Sequence, residues 1–493
     1  MYLLGFDIGS SSVKVALVEA ATRTVVTVVH APDTEMPIEA PQPGWAEQAP
    51  QMWWKYACQA CQSLSVLYPD KVRQISAIGI AYQMHGLVLT DAAHTPLRPA
   101  IIWCDSRAVE VGNQALRDLG PGIAPTLLNP PGNFTASKLR WVQTHEPHHL
   151  AAAAWYMLPG DYIALRMTGV PATTVSGLSE GVIWDFGAHR VSETLAGYYQ
   201  IDTQLIPQVV PTCGHQGELL PAAAAELGLR PGIPVTYRAG DQPNNALALN
   251  VLQPGEIAAT GGTSGVVYGV VDRLLYDPQG RVNSFAHVNH EPHQPRIGVL
   301  LCINGAGSQY NWIRQQVALA GMRYSEMEQS AASAPIGADG LMVLPFGNGA
   351  ERMLGNRTPG GHISPIQFNR HQRAHIFRAT LEGIAFSFVY GIQLMADLGL
   401  DLRMMRVGHD NLFQSSVFSQ TISNVTECEI QVIETTGAAG AACAAGVAVG
   451  LYSSLEEAVG GVAPVKRFLP DRDRIAHEDA YHRWAEFLSR ILA

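Results

Sequence analysis

The run Phe6-Asp7-Ile8-Gly9-Ser10-Ser11-Ser12-Val13-Lys14 puts a carboxylate at the end of an apolar stretch and follows it with a glycine and three hydroxyls. Glycine lets a backbone approach an anion closely, and amide N–H groups and hydroxyls then donate to it. That composition suits the phosphates of ATP, although one such turn is equally an ordinary β-turn. A second, Gly261-Gly262-Thr263-Ser264-Gly265, also follows an extended apolar run, and the pair argues against coincidence. Asp7, just ahead of the first turn, suits a Mg2+ ligand acting through water, because Mg2+ keeps much of its hydration shell. Lys14 is either a phosphate contact or a solvated side chain.

Gly240-Asp241-Gln242 closes a third apolar run. A carboxylate just past a strand and a glycine sits where a sheet opens into a cleft. In phosphoryl transfer to a hydroxyl, such a group orients the nucleophile and accepts its proton. Gly-Asp turns are common; the position of this one between the two glycine–hydroxyl turns singles it out. Gln83-Met84-His85-Gly86 brings hydroxyl-binding side chains to the end of another strand pattern, where the alternative is a strand with a polar end. Trp45-Ala46-Glu47 and Trp103-Cys104-Asp105-Ser106-Arg107 add aromatic and charged groups of the kind that recognise sugars.

Strands alternating with helices must hold these residues, which indicates an α/β architecture. Apolar patterning predicts strands at Leu3–Ile8, Val13–Val18, Thr24–His30 and Ile75–Ala81, and helices over 51–67, 107–118 and 136–144. The Pro/Gly-rich segment 229–234 leads into a strand at Val235–Ala239, and the domain boundary is expected here, giving domains 1–236 and 237–493. Beyond it, extended residues 256–260, the second glycine turn and a strand over 266–271 repeat the opening strand–turn–strand device. This suggests a duplicated core with a cleft between its halves. A long helix over 373–398, a small-residue helix over 438–450 and a terminal amphipathic helix over 478–492 complete the second half, the last of them a candidate to dock on the first domain.

Composition narrows the function classes. The 493 residues carry a formal net charge of −10, and no Lys/Arg run gives the footprint of a nucleic-acid binder. The N-terminus reaches an acid at once without a basic stretch, and no uninterrupted apolar run is long enough to span a bilayer. Seven cysteines, sparse and odd in number, fit a reducing, cytoplasmic setting with no membrane partner. Cys58 and Cys61 form one CxxC within a helical stripe and read first as packed thiols, second as a redox or metal pair. His287, His290 and His293 stand in a Pro-containing loop pattern, where a metal site is the lesser reading. Glu382 interrupts an apolar helix, either as a buried partner of the site or as a solvated or capping residue. Neither GxxxxGK[ST] nor a strand–GxGxxG–helix unit occurs, so neither a P-loop nor a dinucleotide fold is supported.

Taken in order, these motifs resemble the FGGY family of carbohydrate kinases, and within it the xylulokinases, over nearly the whole chain. Residues 6–14 resemble the family's first phosphate motif. Gln83–Gly86 with Leu97–Trp103 resembles the substrate region, and Pro159–Tyr162 with Met167–Gly169 its following segment. Gly240-Asp241 falls at the catalytic aspartate and Gly262–Gly265 at the second phosphate motif. Glu351-Arg352 with Arg357-Thr358-Pro359 looks like a stretched motif near the active site.

The resemblance implies a two-domain actin-like ATPase (ribonuclease H-like) fold, with ATP in the cleft and the sugar mostly against the first domain. It implies Asp241 as general base and Asp7 as the Mg2+-associated carboxylate. Gln83, Met84 and His85 would line the sugar pocket, joined by Gln242, Asp105 and Trp45. Ser10, Ser11, Ser12, Lys14, Gly262, Thr263, Ser264 and Gly265 would contact phosphates, and Gly408 and Asn411 the nucleotide. The implied reaction is D-xylulose to D-xylulose 5-phosphate, with a homodimer as a family expectation.

Two departures keep alternatives open. Gln242 stands where xylulokinases usually have Asn, which keeps ribulose, sedoheptulose, gluconate and glycerol as candidate acceptors. His409 and Asp410 replace small residues in the adenine-site segment, which keeps a non-catalytic sugar or nucleotide sensor in view.

Overall fold

The computed structural model describes residues 1–409 and 411–493, Asn411 by its backbone alone. Five strands make the first sheet: β1 (Tyr2–Ile8), β2 (Val13–Glu19), β3 (Thr24–Ala31), β4 (Ile75–Tyr82) and β5 (Val235–Gly240), in the order β5-β4-β1-β2-β3. β1, β2 and β3 pair antiparallel, while β4 and β5 join parallel to β1. β1 is apolar on both faces because both are covered, as parallel strands require. Helix α1 (Pro50–Leu67) covers one face with Trp53, Trp54, Ala57 and Leu64.

The second sheet repeats this plan. β6 (Glu256–Gly261), β7 (Gly265–Val271), β8 (Asn283–Ala286), β9 (Ile297–Ile303), β10 (Met404–Gly408), β11 (Ile430–Ile433) and β12 (Lys466–Phe468) run in the order β8-β9-β7-β6-β10-β11-β12. Its centre, β9-β7-β6-β10-β11, has the same two antiparallel and two parallel pairings as the first sheet. The duplicated core expected from the two turns is therefore present, each hairpin leading its own sheet.

The halves exchange helices. Asp241–Ala248 (α2) follows the last strand of the first sheet and packs against β6 and β7 of the second. Gly437–Ala448 (α4) follows β11 and covers the free face of the first sheet. The approach of α4 is close enough to demand glycine beneath it: a Cβ on Gly5 would overlap the carbonyl of Ala438, and one on Gly79 that of Ala441. The Ala/Gly composition of α4 is thus a packing requirement.

Three expectations change. β5 spans the boundary expected at 236/237 and belongs wholly to the first sheet, so the first layer extends past residue 236. The terminal helix α5 (Arg474–Leu492) packs on the second half, where the fully buried Trp484 donates from Nε1 to the Val343 carbonyl at 2.7 Å. The element that returns to the first sheet is α4. The helix α3 (Arg373–Asp397) is apolar and long enough to cross a membrane, but 83% of its apolar window is buried within the protein. Its Glu382 is buried and held by Arg378 at 2.7 Å and by the Gly337 N–H, a structural ion pair remote from the cleft.

Candidate active site

β1 and β2 converge on the first glycine–hydroxyl turn. Their register sets Asp7 across from Lys14, and the turn closes with the Gly9 N–H donating to the Ser12 carbonyl at 3.1 Å. Burial raises the pKa of Asp7 and Lys14 opposes that rise. The N-terminal end of α4 stands against this carboxylate, since a Cβ on Gly437 would lie 3.0 Å from Asp7 Oδ2.

Asp241 opens α2 immediately after Gly240. Burial, then repulsion from Asp7, pushes its carboxyl up to about 7, against stabilising hydrogen bonds from the Gln242 N–H and the Gln242 amide. Two carboxylates close enough to repel one another, with Lys14 opposing the burial of Asp7, form an all-oxygen donor set of the kind Mg2+ takes when phosphates complete its shell. Among the described residues no cluster of three or more metal-ligating side chains exists, so a cation here would be held partly by a bound nucleotide.

Both aspartates open onto a cavity of about 660 Å3 lined by Gly9, Ser10, Ser11, Ser12, Lys14, Gln83, Met84, His85, Gln242 and Ser264. A second cavity of about 920 Å3, lined by Gly261, Gly262, Thr263, Tyr310, Trp312, Tyr324, Glu328, Leu412 and Ser415, lies on the other side of the second turn. That turn therefore separates the two spaces. Helix Ala306–Gln316 backs it, with the N–H groups of Gly307 and Ser308 each donating at 3.0 Å to the Gly262 and Thr263 carbonyls.

The sugar-side residues are held individually. Gln83 is buried beside Gln48, whose amide also donates to the Ser10 carbonyl at 2.7 Å, tying the first turn to this wall. His85 takes a left-handed φ of 61°, and its Nδ1 lies 2.9 Å from the Glu180 carbonyl. Nδ1 must then carry the proton, which leaves Nε2 as an acceptor. Burial and Lys138 lower the His85 pKa to about 3, so the ring is neutral. Lys138, itself buried, donates to the carbonyls of His85 and Ile102 at 2.8 and 2.9 Å and ties two segments of the wall together.

Several expectations fail in detail. Asp105 is buried and consumed by its own neighbours: Arg107 pairs with it at 2.7 Å and the Ala46 N–H donates to it at 2.6 Å. Trp45 stacks under the Arg107 guanidinium, 3.8 Å from its ring centroid, and edge-on to Trp141. Of the two tryptophans it is Trp103 that lines the cleft, and its Nε1 donates to Ser10 Oγ at 3.3 Å. Gly265 is buried, where a Cβ would meet Phe388; it shapes the turn and does not line the cavity. Gly408 ends β10 in register with Ile433, and the cavity lining resumes at Leu412. Asp410 and the Asn411 side chain lie outside the described residues.

The lesser candidates resolve as structure. His287 uses both nitrogens, Nδ1 at 3.0 Å from the Tyr268 hydroxyl and Nε2 at 3.1 Å from the Val251 carbonyl. Cys58 and Cys61 are buried thiols, Cys58 pushed up to about 12 by burial, far from the reactive thiolate range. The residues that motif reasoning missed are Asn133, Phe134, Asn283, Cys302, Asn304 and Asn356, which reach the smaller cavity from separate segments and carry no local signature. Glu180 carries no motif either: it is buried beside the Tyr82 hydroxyl and stands against Gly240 beside the Asp241 backbone.

Paired sheets of one topology, exchanged helices and a cleft between glycine turns define the actin-like ATPase class. The chain belongs to the FGGY family of carbohydrate kinases: residues 2–248 match its N-terminal domain and residues 257–449 its C-terminal domain. It is a sugar kinase, an enzyme of carbohydrate metabolism acting on a sugar and ATP. The xylulose kinase of Bacillus subtilis is 28% identical over 92% of this chain and 90% of that protein. The L-xylulose/3-keto-L-gulonate kinase of Escherichia coli is 29% identical over 99% of this chain and 97% of that protein. The crystal structure of xylulose kinase from Rhodospirillum rubrum superposes with a TM-score of 0.89 at 25% identity, covering 100% of this chain and 99% of that one.

Proposed function

We propose that this kinase transfers the γ-phosphoryl group of MgATP to a hydroxyl of a small ketose, with D-xylulose to D-xylulose 5-phosphate as the reference reaction. The observation that carries this reading is that Asp7 and Asp241 share one cavity with neutral His85, between two glycine–hydroxyl turns. The names of several relatives support the choice of xylulose, and one of them includes a sugar acid beside it.

Asp241 is the general base. An acceptor hydroxyl placed against its carboxylate loses its proton to it as the new P–O bond forms, and a pKa near 7 suits that exchange at working pH. The N–H groups at the start of α2 hold the carboxylate in place. His85 Nε2 accepts a hydrogen bond from a second sugar hydroxyl, and the Gln83 amide meets another. The turns at Ser10–Ser12 and Gly262–Ser264 hold the polyphosphate through backbone N–H groups and hydroxyls, with Lys14 adding a positive charge. Mg2+, carried by Asp7 and the phosphates, would neutralise charge developing on the transferred group. The purine would lie in the larger cavity among Tyr310, Trp312 and Tyr324.

The test is ADP release from MgATP across xylulose, ribulose, gluconate, glycerol and sedoheptulose, with Asp241→Ala beside the wild type. A sugar-stimulated rate abolished in the variant supports the assignment. An Asp241→Ala rate close to wild type would remove the base from the proposal.

A further inference from the structure

The start of helix Ala306–Gln316 carries the second glycine turn, and a buried carboxylate fixes that start. The helix follows β9 after only Asn304 and Gly305. The first N–H groups of a helix have no partners within it, and here those of Gly307 and Ser308 go to the Gly262 and Thr263 carbonyls. In a trans peptide the C=O and the next N–H point in opposite directions. Tying those two carbonyls to the helix therefore turns the N–H groups of Thr263 and Ser264 away from it, where a ligand can take them. The contact leaves no slack: a Cβ on Gly307 would lie 2.2 Å from the Gly262 carbonyl oxygen. A shift of the helix start is thus passed directly to the turn.

Glu351 grips the residue from which this helix starts. It is fully buried and accepts the Asn304 N–H on both oxygens, at 3.1 and 3.2 Å. Asn304 returns the contact, donating from Nδ2 to the Ala350 carbonyl at 2.8 Å. Asn348 adds a second tie, its Nδ2 donating to the Asn304 carbonyl at 2.9 Å and to Ser308 Oγ at 2.6 Å. The Glu351 backbone is itself anchored: its N–H donates to the Arg357 carbonyl at 2.9 Å, and its carbonyl accepts the Asn356 N–H at 3.0 Å. Glu47, Asp105, Asp161 and Glu382 are also buried, and each pairs with an arginine at 2.6 to 3.0 Å. Among the described residues no cation lies within ion-pair distance of Glu351. A carboxylate buried in that way is costly, and the Asn304 N–H offsets part of the cost. Burial accordingly pushes the Glu351 pKa up to about 7, against that bond. Ala350 and Arg352 line the smaller cavity, whereas Glu351 between them lines neither cavity. Its effect on a nucleotide must then pass through Asn304.

We propose that Glu351 is a positioning residue for the nucleotide: by holding the Asn304 N–H it sets the start of helix Ala306–Gln316, and through it the N–H donors that the second turn offers to polyphosphate. This rests on the reading above that places the polyphosphate at that turn. The reach of the side chain matters more than its charge, because what it grips is a neutral N–H.

The test is the Kd of Mg·AMPPNP, a nonhydrolysable ATP analogue that needs no acceptor sugar, read by titration calorimetry with denaturation midpoints alongside. Glu351→Asp keeps the charge but falls one methylene short of Asn304, and Kd should rise about 10-fold. Glu351→Gln loses the charge but keeps an oxygen at the same reach, and Kd should stay within about threefold of the wild type. Glu351→Ala should weaken binding at least as much as Glu351→Asp. Asn348→Ala, at the exposed rim, should raise Kd by about two- to threefold. The reverse order, with Glu351→Gln weaker than Glu351→Asp, would give the carboxylate an electrostatic role and overturn the proposal. A lowered midpoint with unchanged Kd in Glu351→Asp and Glu351→Ala would make Glu351 structural only and overturn it as well. Thr263→Ala separates the proposal from the reading beneath it. Weakened binding in Thr263→Ala with none lost in any Glu351 variant sinks the proposal alone. No loss in Thr263→Ala or in any Glu351 variant sinks the placement of the polyphosphate at the turn.

Discussion

The two hairpins share a backbone and differ in chemistry. In the first, Asp7 faces Lys14 across the strands. In the second, Thr260 occupies the corresponding place and faces Val266. The segments that follow the last parallel strand of each set differ too: Gly240 leads directly into Asp241 at the start of α2, while β11 leads through Glu434 and Thr435 to Thr436, whose side chain caps α4. Of the two hairpins, the first alone thus carries a carboxylate at its strand end. The other half supplies backbone and hydroxyl donors to a ligand that is itself anionic. A carboxylate in place of Thr260 would stand next to phosphates at the second turn and repel them, so the difference between the hairpins fits the charge of the nucleotide.

The largest effect should come from breaking the charged half. Asp241→Asn removes the proton acceptor while keeping its shape, and kcat should fall by about 10²–10⁴-fold. Thr260→Val, at the strand end of the uncharged hairpin, should change kcat by no more than about twofold. Steady-state ADP release on both variants decides the matter, and comparable losses would mean that chemistry is shared between the halves.

The exchanged helix gives the next effect. Gly79→Ala drives a methyl into the Ala441 carbonyl, and backbone cannot step aside as a flexible side chain can. The expected cost is about 1–3 kcal/mol of stability, read as a lower denaturation midpoint. Gly197 lies within the helix Glu193–Tyr199 with open space around it, so Gly197→Ala should leave stability unchanged or raise it by about 0.5–1 kcal/mol. A Gly79→Ala protein as stable as wild type would show that α4 is not pressed on the first sheet as described.

How much of this was legible in the chain depends on whether a function is local. The strand–turn–strand units, Asp7, Asp241 and the segment Gln83–His85 are contiguous motifs at strand ends, and their residue types announce them. Trp45 and Asp105 misled because aromatic and charged residues close in sequence look the same whether they bind a sugar or each other; only the Arg107 geometry shows that they are already satisfied. Asn283, Cys302, Asn304 and Asn356 enter the cavity from different strands and loops, so their joint role exists only after folding. The strand at Val235 is legible in the sequence, but the boundary expected at 236/237 cuts through it, whereas β5 belongs whole to the first sheet. Parallel strands come together through long crossovers, and sequence order says little about which sheet receives the last one.

The hydroxyls of the second turn offer a finer test. Thr263 faces the larger cavity and Ser264 the smaller. If both meet polyphosphate, Thr263→Ala and Ser264→Ala should each raise KM for ATP by about 2–10-fold, the range for one net hydrogen bond, with the sugar KM little changed. A change in the sugar KM alone for Ser264→Ala would move that residue from the nucleotide to the acceptor.

The smallest effect separates two histidines that burial treats alike. His85 and His287 are both held neutral, each lowered to about 3 chiefly by desolvation. His85 keeps Nε2 free for a ligand, whereas His287 spends both nitrogens on Tyr268 and Val251. A histidine lowered in the folded state gives no penalty above its ordinary pKa. As pH falls below about 6.5 the unfolded chain binds a proton that the folded chain refuses, and stability declines until the folded pKa is reached. For His287 that decline amounts to about 1 kcal/mol between pH 6.5 and 5.5. His287→Asn should therefore lower stability at pH 7.5, by disturbing two buried hydrogen bonds, yet flatten its dependence on pH. Saturating sugar should leave that dependence intact in the wild type if His287 is purely structural. His85 is neutral in the folded state throughout this window with or without sugar, so sugar should leave its slope unchanged too, and its free Nε2 should show instead as a raised sugar KM in His85→Asn. Denaturation midpoints at the two pH values together with the sugar KM, in His85→Asn and His287→Asn, test the distinction; a raised sugar KM in His287→Asn with none in His85→Asn would reverse it.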